Sequence, residues 1–236
     1  HMDDGVDNTA IGYDAMTSAG AGGNSGAYSV AVGHSALKAV TTGNQNVAIG
    51  VDALTALTTS TANVALGYRS LKTATTAAEN VAIGRGCMED VKAAVAVTGC
   101  VAVGRNALLG NSSNTTGINH TVAVGYSALQ SLTTGGQNVA IGYESGADIT
   151  TGASNTALGY GAGKNIDTAS QNVALGAYAG WKIGHADADA NVFIGMAAGA
   201  GGDSTDANNT ASNNIAIGQK TLGGDTYSSD GSAFTA

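Results

Sequence analysis

Few side chains in this sequence could do chemistry, and most of them stand alone. His34, His120 and His185 lie far apart in the chain. An imidazole needs a positioned partner to serve as acid or base, and the sequence sets no nucleophile or carboxylate at a recurring distance from these three. His185, Asp187 and Asp189, in the stretch from His185 to Asn191, would share one side of an extended chain, where oxygen and imidazole donors could meet a cation. The stretch does not match a calcium loop and is read as a solvated acidic turn, as is 201–209, so no metal is assigned. Nucleophile elbows, zinc-protease words and phosphate loops are missing as well. No catalytic residue and no cofactor is assigned, and the chain is not read as an enzyme.

One five-residue word recurs along the chain. Asn46-Val-Ala-Ile-Gly50 returns as Asn63-Val-Ala-Leu-Gly67. With its last Gly as an anchor, the word appears at Gly12, Gly33, Gly50, Gly67, Gly84, Gly104, Gly125, Gly142, Gly159, Gly176, Gly195 and Gly218. The basic interval is 17 residues, and five intervals are longer. β-Branched residues three and one before the anchor predict a strand, with Ala between them in every copy but Phe193. Alternation then gives the strand two apolar faces, one bulky and one small. A second short strand is expected after the anchor, followed by a Thr-Thr turn.

Such a unit, repeated without helical periodicity, predicts one coil of an all-β parallel β-solenoid, about twelve coils long. At about 4.8 Å per coil the rod measures roughly 55 to 60 Å. Asn stands four before the anchor in most copies, so Asn46, Asn63, Asn80, Asn138, Asn155 and Asn172 are expected to stack as a carboxamide ladder. Residues 8–222 form the repeat domain. Residues 1–7 are an N-terminal lead-in whose His1-Met2 looks like an expression scar, and 223–236 are a non-repetitive tail.

Composition narrows the partners. The chain of 236 residues carries 36 Gly, no Pro, 11% charged residues and a net charge of −8. Scattered Lys and Arg on an acidic chain argue against nucleic acid, and no apolar run is long enough to span a bilayer as a helix. Because both strand faces are apolar, one must meet another surface. The Ala column, whose small side chains permit close approach, is the expected seam of a side-by-side homotrimer, although the pattern leaves open which face lies inside the coil.

The words from Tyr28 to Leu37, from Asn46 to Gly50 and from Asn155 to Gly163 resemble the head repeats of trimeric autotransporter adhesins, the YadA-like family. The longer unit, with its Thr-Thr-Gly, also looks like repeats of bacteriophage tail fibres. The resemblance implies a left-handed β-roll assembled as a trimer, located extracellularly on a bacterial surface or a virion. It also implies attachment to a cell-surface glycan or protein. Adhesin heads usually repeat at a shorter interval, so the coil here has longer turns.

Four residues in or beside the longer loops, Trp181, Tyr28, His120 and His185, are the candidate contacts, since variable loops on a rigid scaffold often carry recognition. Each could equally pack against its own loop. Tyr also follows the anchor at positions 13, 68, 126, 143 and 160. Two readings stand for these: an aromatic stripe for sugar or protein, or ordinary turn residues. Cys87 and Cys100 sit at different phases of successive coils and are expected to be free, buried thiols. Two alternatives to an attachment head remain. One is a fibre spacer with its binding tip elsewhere, and the other is an ice-binding solenoid built on the Thr pairs.

Overall fold

The computed structural model describes residues 6–17, 26–91, 96–111, 116–181, 188–200 and 212–222. Within them the chain is all-β, with twelve strands of three residues: β1 Thr9–Ile11, β2 Val30–Val32, β3 Val47–Ile49, β4 Val64–Leu66, β5 Val81–Ile83, β6 Val101–Val103, β7 Val122–Val124, β8 Val139–Ile141, β9 Thr156–Leu158, β10 Val173–Leu175, β11 Val192–Ile194 and β12 Ile215–Ile217. They form a single sheet in sequence order. All neighbours are parallel, so the fold is a parallel β-solenoid. The repeated words lie in register, with Val47 beside Val64 and Ile49 beside Leu66. Insertions leave that register intact, since Val101 still pairs with Val122 across the 21-residue interval.

Alternation along the strand decides what the core is made of. The central Ala is buried from β2 to β10, as Ala48, Ala65 and Ala140 illustrate, while the flanking residues face outward. Ile49, Leu66, Ile141 and Leu158 are 37%, 42%, 38% and 45% exposed. The expected Ala seam is therefore corrected: Ala lines the narrow interior, where a larger side chain would not fit, and the bulky column forms the outer face.

A second correction concerns the residues after the anchor. No second strand forms there among the described residues, and positive φ recurs at the second and fourth positions, as at Asp52 (φ 59) and Leu54 (φ 50), or Ser127 (φ 52) and Leu129 (φ 50). This turn-like path still joins neighbouring coils. Asp52 N donates to His34 O at 2.9 Å, and Leu54 N donates to Ser70 O at 3.0 Å. The fourth residue points inward, and Leu37, Leu54, Leu71, Leu108 and Leu129 form its buried column.

Volume in that column is conserved even where Leu is lost. Gly199 replaces Leu in its coil, and the ring of Phe193, the exceptional strand centre, occupies the space a Cβ at Gly199 would need. At Gly146 the same space is taken by Leu129 and Ile149, and at Gly163 by Ile166. Close packing of this kind rewards compensating pairs over single changes.

A carboxamide ladder satisfies most polar groups inside the coil, with the buried Thr121 hydroxyl the exception along it. Asn63 Nδ2 donates to Asn46 Oδ1 at 3.1 Å and to Ala77 O at 2.7 Å. The same Asn46 oxygen accepts the Asn63 backbone N–H at 3.0 Å. Asn80 continues the column through Asn63 Oδ1 at 3.2 Å, and Asn155, Asn172 and Asn191 extend it from Asn138. Ser29, Cys100 and Thr121 fill the remaining rungs. Cys100 still donates its backbone N–H to Asn80 Oδ1 at 2.9 Å.

Candidate functional site

Three outward columns make up the exposed side of the sheet: the first strand residue, the third, and the residue after the anchor Gly. The last is the chemically varied one, reading Tyr68, Arg85, Arg105, Tyr126, Tyr143 and Tyr160 over consecutive coils from the fourth strand to the ninth. Register forces this stacking, since each of these residues sits one place beyond an aligned strand and its Gly.

The tyrosines form a continuous ladder. Tyr126 and Tyr143 stack with centroids 5.1 Å apart and planes 8° apart, and Tyr143 and Tyr160 stack at 5.0 Å and 6°. Tyr160 then meets Tyr178 edge-on at 5.1 Å, and Tyr178 packs against Trp181 at 5.0 Å. Tyr178 stands one position later in its coil, which turns its ring and carries the ladder to Trp181. At the other end the Arg105 guanidinium lies 5.5 Å from the Tyr126 centroid. In the middle of the ladder, ring faces are occupied by neighbouring rings, so edges and hydroxyls are what meet water.

Electrostatics tie the ladder to its flank. Lys164 Nζ lies 2.6 Å from Glu144 Oε2, and this hydrogen bond holds the Glu144 carboxyl below its usual range while pushing the Lys164 ammonium up. The hydrogen bond from Tyr143 to the Glu144 carboxylate raises the Tyr143 phenol.

Of the candidate contacts, Trp181 ends this ladder, half-buried. Tyr28 and His120 fall elsewhere, at one shared phase of the coil, the residue preceding the Asn column. Both have positive φ (57 in each case), as do Gln45 (φ 57) and Gln137 (φ 61) at the same phase. Tyr28 is 61% exposed, and His120 is exposed as well. The two lie five strands apart, so the structure does not gather the candidates into one site. His185 and Asp187 lie outside the described residues, as does the acidic stretch 201–209. Among the described residues no group of three His, Cys, Asp or Glu side chains could hold a metal ion.

Thr hydroxyls serve the turns. Thr41 Oγ1 donates to Thr58 O at 3.1 Å, Thr58 Oγ1 to Thr75 O at 3.2 Å, and Thr133 Oγ1 to Thr150 O at 2.8 Å. The first Thr of these three pairs thereby bonds to the neighbouring coil, and the second, Thr42, Thr59 or Thr134, is exposed, whereas Thr76 is half-buried.

Cys87 and Cys100 are free and buried. Burial pushes the Cys87 thiol up to about 12 and the Cys100 thiol up to about 11. Alkylation of the native protein at pH 8 is expected to run about a hundredfold or more slower than in denaturant, where both thiols react; mass spectrometry of the adducts checks this. Native thiols keep their protons above the unfolded-chain value of 9.0. Their stabilising effect is therefore complete below about pH 9 and declines as pH rises towards 11 and 12.

The fold and this column define an all-β parallel solenoid with a cation-tipped aromatic ladder on its exposed side. Compared with known proteins, the chain matches no family model, no curated protein and no solved structure.

Proposed function

We propose that the chain is a segment of a homotrimeric attachment fibre, a non-enzymatic head that binds a cell-surface glycan or protein through many weak contacts. The observation that carries this reading is the outer sheet face, where two columns of Val, Ile and Leu, interrupted by Thr9 and Thr156, run over twelve parallel strands. With strands about 4.8 Å apart, that face presents on the order of 500 Å² of largely apolar surface. Monomers rarely leave so long a stripe in water, and three copies packed about one axis would cover it. The left-handed coil and the extracellular setting, on a bacterial surface or a virion fibre, belong to the same reading through its resemblance to adhesin heads. Three parallel copies raise the effective concentration of every exposed group, so weak contacts add.

Light scattering of the purified chain tests it. The expected solution mass is three times 22.9 kDa. Ile141→Lys with Leu158→Lys, two outward positions on adjacent strands, is expected to shift the mass to that of one chain, because three buried ammonium groups would cluster at each level. A wild-type monomer would overturn the trimer, and a thermal-hysteresis assay would then test the exposed Thr column against ice.

A further inference from the structure

We infer that Arg85 and Arg105 form a binding site for acidic glycans, taking the carboxylate or sulfate groups of a saccharide. The two residues follow anchor glycines of β5 and β6, whose register sets Val81 beside Val101. Asn106 N donates to Arg85 O at 3.0 Å, which fixes the two backbones side by side. Two guanidinium groups are thus held on coils only about 5 Å apart. Both are exposed.

Like charges at that spacing repel. Of the other described cations, Lys38, Arg69 and Lys164 are neutralised, while Lys72 and Lys220 have no carboxylate within ion-pair distance among the described residues. Lys38 meets Asp14 at 2.9 Å, Arg69 meets Glu89 at 3.3 Å, and Lys164 meets Glu144 at 2.6 Å. Arg85 and Arg105 have no carboxylate within ion-pair distance among the described residues. Each instead lies over an aromatic face, Arg85 at 5.8 Å from the Tyr68 centroid and Arg105 at 5.5 Å from that of Tyr126. A ring beneath the guanidinium plane steadies it without using its N–H edges. Those edges are what an incoming carboxylate or sulfate can engage bidentately.

Charge distribution narrows the ligand. Residues 60–110 hold five Lys and Arg against three Asp and Glu, in a chain whose net charge is −8. The positive patch is therefore local and flanked by acidic coils, which disfavours a long uniform polyanion such as nucleic acid. A neutral sugar finds little to stack upon, because the faces of Tyr126, Tyr143 and Tyr160 are covered by one another and by Arg105. A saccharide with spaced acidic groups fits both constraints. The choice of a glycan rests on the attachment reading; the anion site rests on the two arginines.

Calorimetric titration tests the site, using a heparin oligosaccharide, an oligogalacturonate, a neutral dextran oligosaccharide and a single-stranded oligonucleotide as probes. Binding of at least one acidic saccharide is expected, weakening with added salt, and none of dextran. The two acidic probes tell sulfate from carboxylate. Arg85→Gln with Arg105→Gln is expected to weaken binding at least tenfold. Arg85→Lys with Arg105→Lys, which keeps charge but loses the fork, should fall in between. Failure of both acidic saccharides, undiminished binding by the Gln pair, or equal binding of the oligonucleotide would overturn the site. The solution mass of the same samples separates the readings: a monomer that binds keeps the site and loses the trimer, whereas a trimer that does not bind keeps the fibre and loses the site.

Discussion

Gly67→Ala is expected to unfold most of the chain at temperatures where the wild type is intact. Its backbone sits at φ 138, a region L-residues rarely adopt, at a cost of about 1–3 kcal/mol. A Cβ there would also stand 2.5 Å from the carbonyl oxygen of Gly84 and 2.7 Å from its carbon. Backbone atoms cannot rotate aside as a side chain can. Relief requires moving coils apart where Gly67 N donates to Ile49 O and Gly84 N to Leu66 O, each at 2.8 Å. Together these effects should exceed about 4 kcal/mol. Gly117→Ala is the control: φ is 68 and the nearest atom to its Cβ would be Thr134 O at 3.3 Å, so about 1 kcal/mol is expected. Urea unfolding followed by circular dichroism reads both. Equal midpoints would show that the anchor glycines do not stack as closely as described.

The anchor glycines were also what made the fold legible. Their spacing, the β-branched residues beside them and the 17-residue interval predict stacked parallel coils, and twelve strands in register are found. Identical residues recur because each must match its counterpart in the next coil. The inward face was not legible, since Ala and Val alternate and either could line a core. What decides it is the rest of the coil: Leu54, Leu57 and Asn63 already fill the interior, leaving room for a methyl group only.

The path after the anchor was hidden for a different reason. Positive φ is signalled by Gly or Asn, yet here it falls on Leu37, Leu54, Leu71 and Leu129. Tertiary context overrides local preference, because inter-coil hydrogen bonds and burial hold each Leu in place. One signal was available: Gly146, Gly163, Gly180 and Gly199 occupy the same position in later coils with φ near 60. Set against the leucines, those glycines mark the turn in the sequence. The pairing of Phe193 with Gly199 could have been found the same way, from two departures in one coil.

Site residues were only partly readable. Loop membership nominated Tyr28 and His120, but a shared phase and a positive φ place both on a corner of the coil. The tyrosine column was visible in the sequence, whereas the choice between stripe and turn needed ring geometry. Arg85 and Arg105 carry no repeat signal, because they interrupt the tyrosines instead of repeating them; only the alignment of the copies by their anchors sets the two guanidiniums side by side.

Asn155→Ala is expected to be the most destabilising change among the interior polar residues. Asn155 is 1% exposed and bonds on both sides. Its Nδ2 donates to Asn138 Oδ1 at 3.1 Å and Ala169 O at 2.9 Å. Its Oδ1 accepts from Asn172 N at 2.9 Å and from Asn172 Nδ2 at 3.3 Å. Truncation leaves several of these buried groups without a partner, which should cost about 3–5 kcal/mol in all. Asn214→Ala, at the half-buried end of the ladder, should cost only about 1–2 kcal/mol, because water reaches the groups left behind. Asn155→Asp separates hydrogen bonding from shape. A carboxylate keeps the volume but loses both donors, and burial without a cation raises its folded-state pKa. Such a group is best tolerated when protonated, so this variant should be nearest to wild type in acid and lose stability as pH rises past the ordinary carboxylate range of about 4. Denaturant midpoints across pH would show that slope for Asn155→Asp and not for Asn155→Ala. A flat profile would mean that the carboxamide ladder is wet, and that the coils are held by their apolar columns alone.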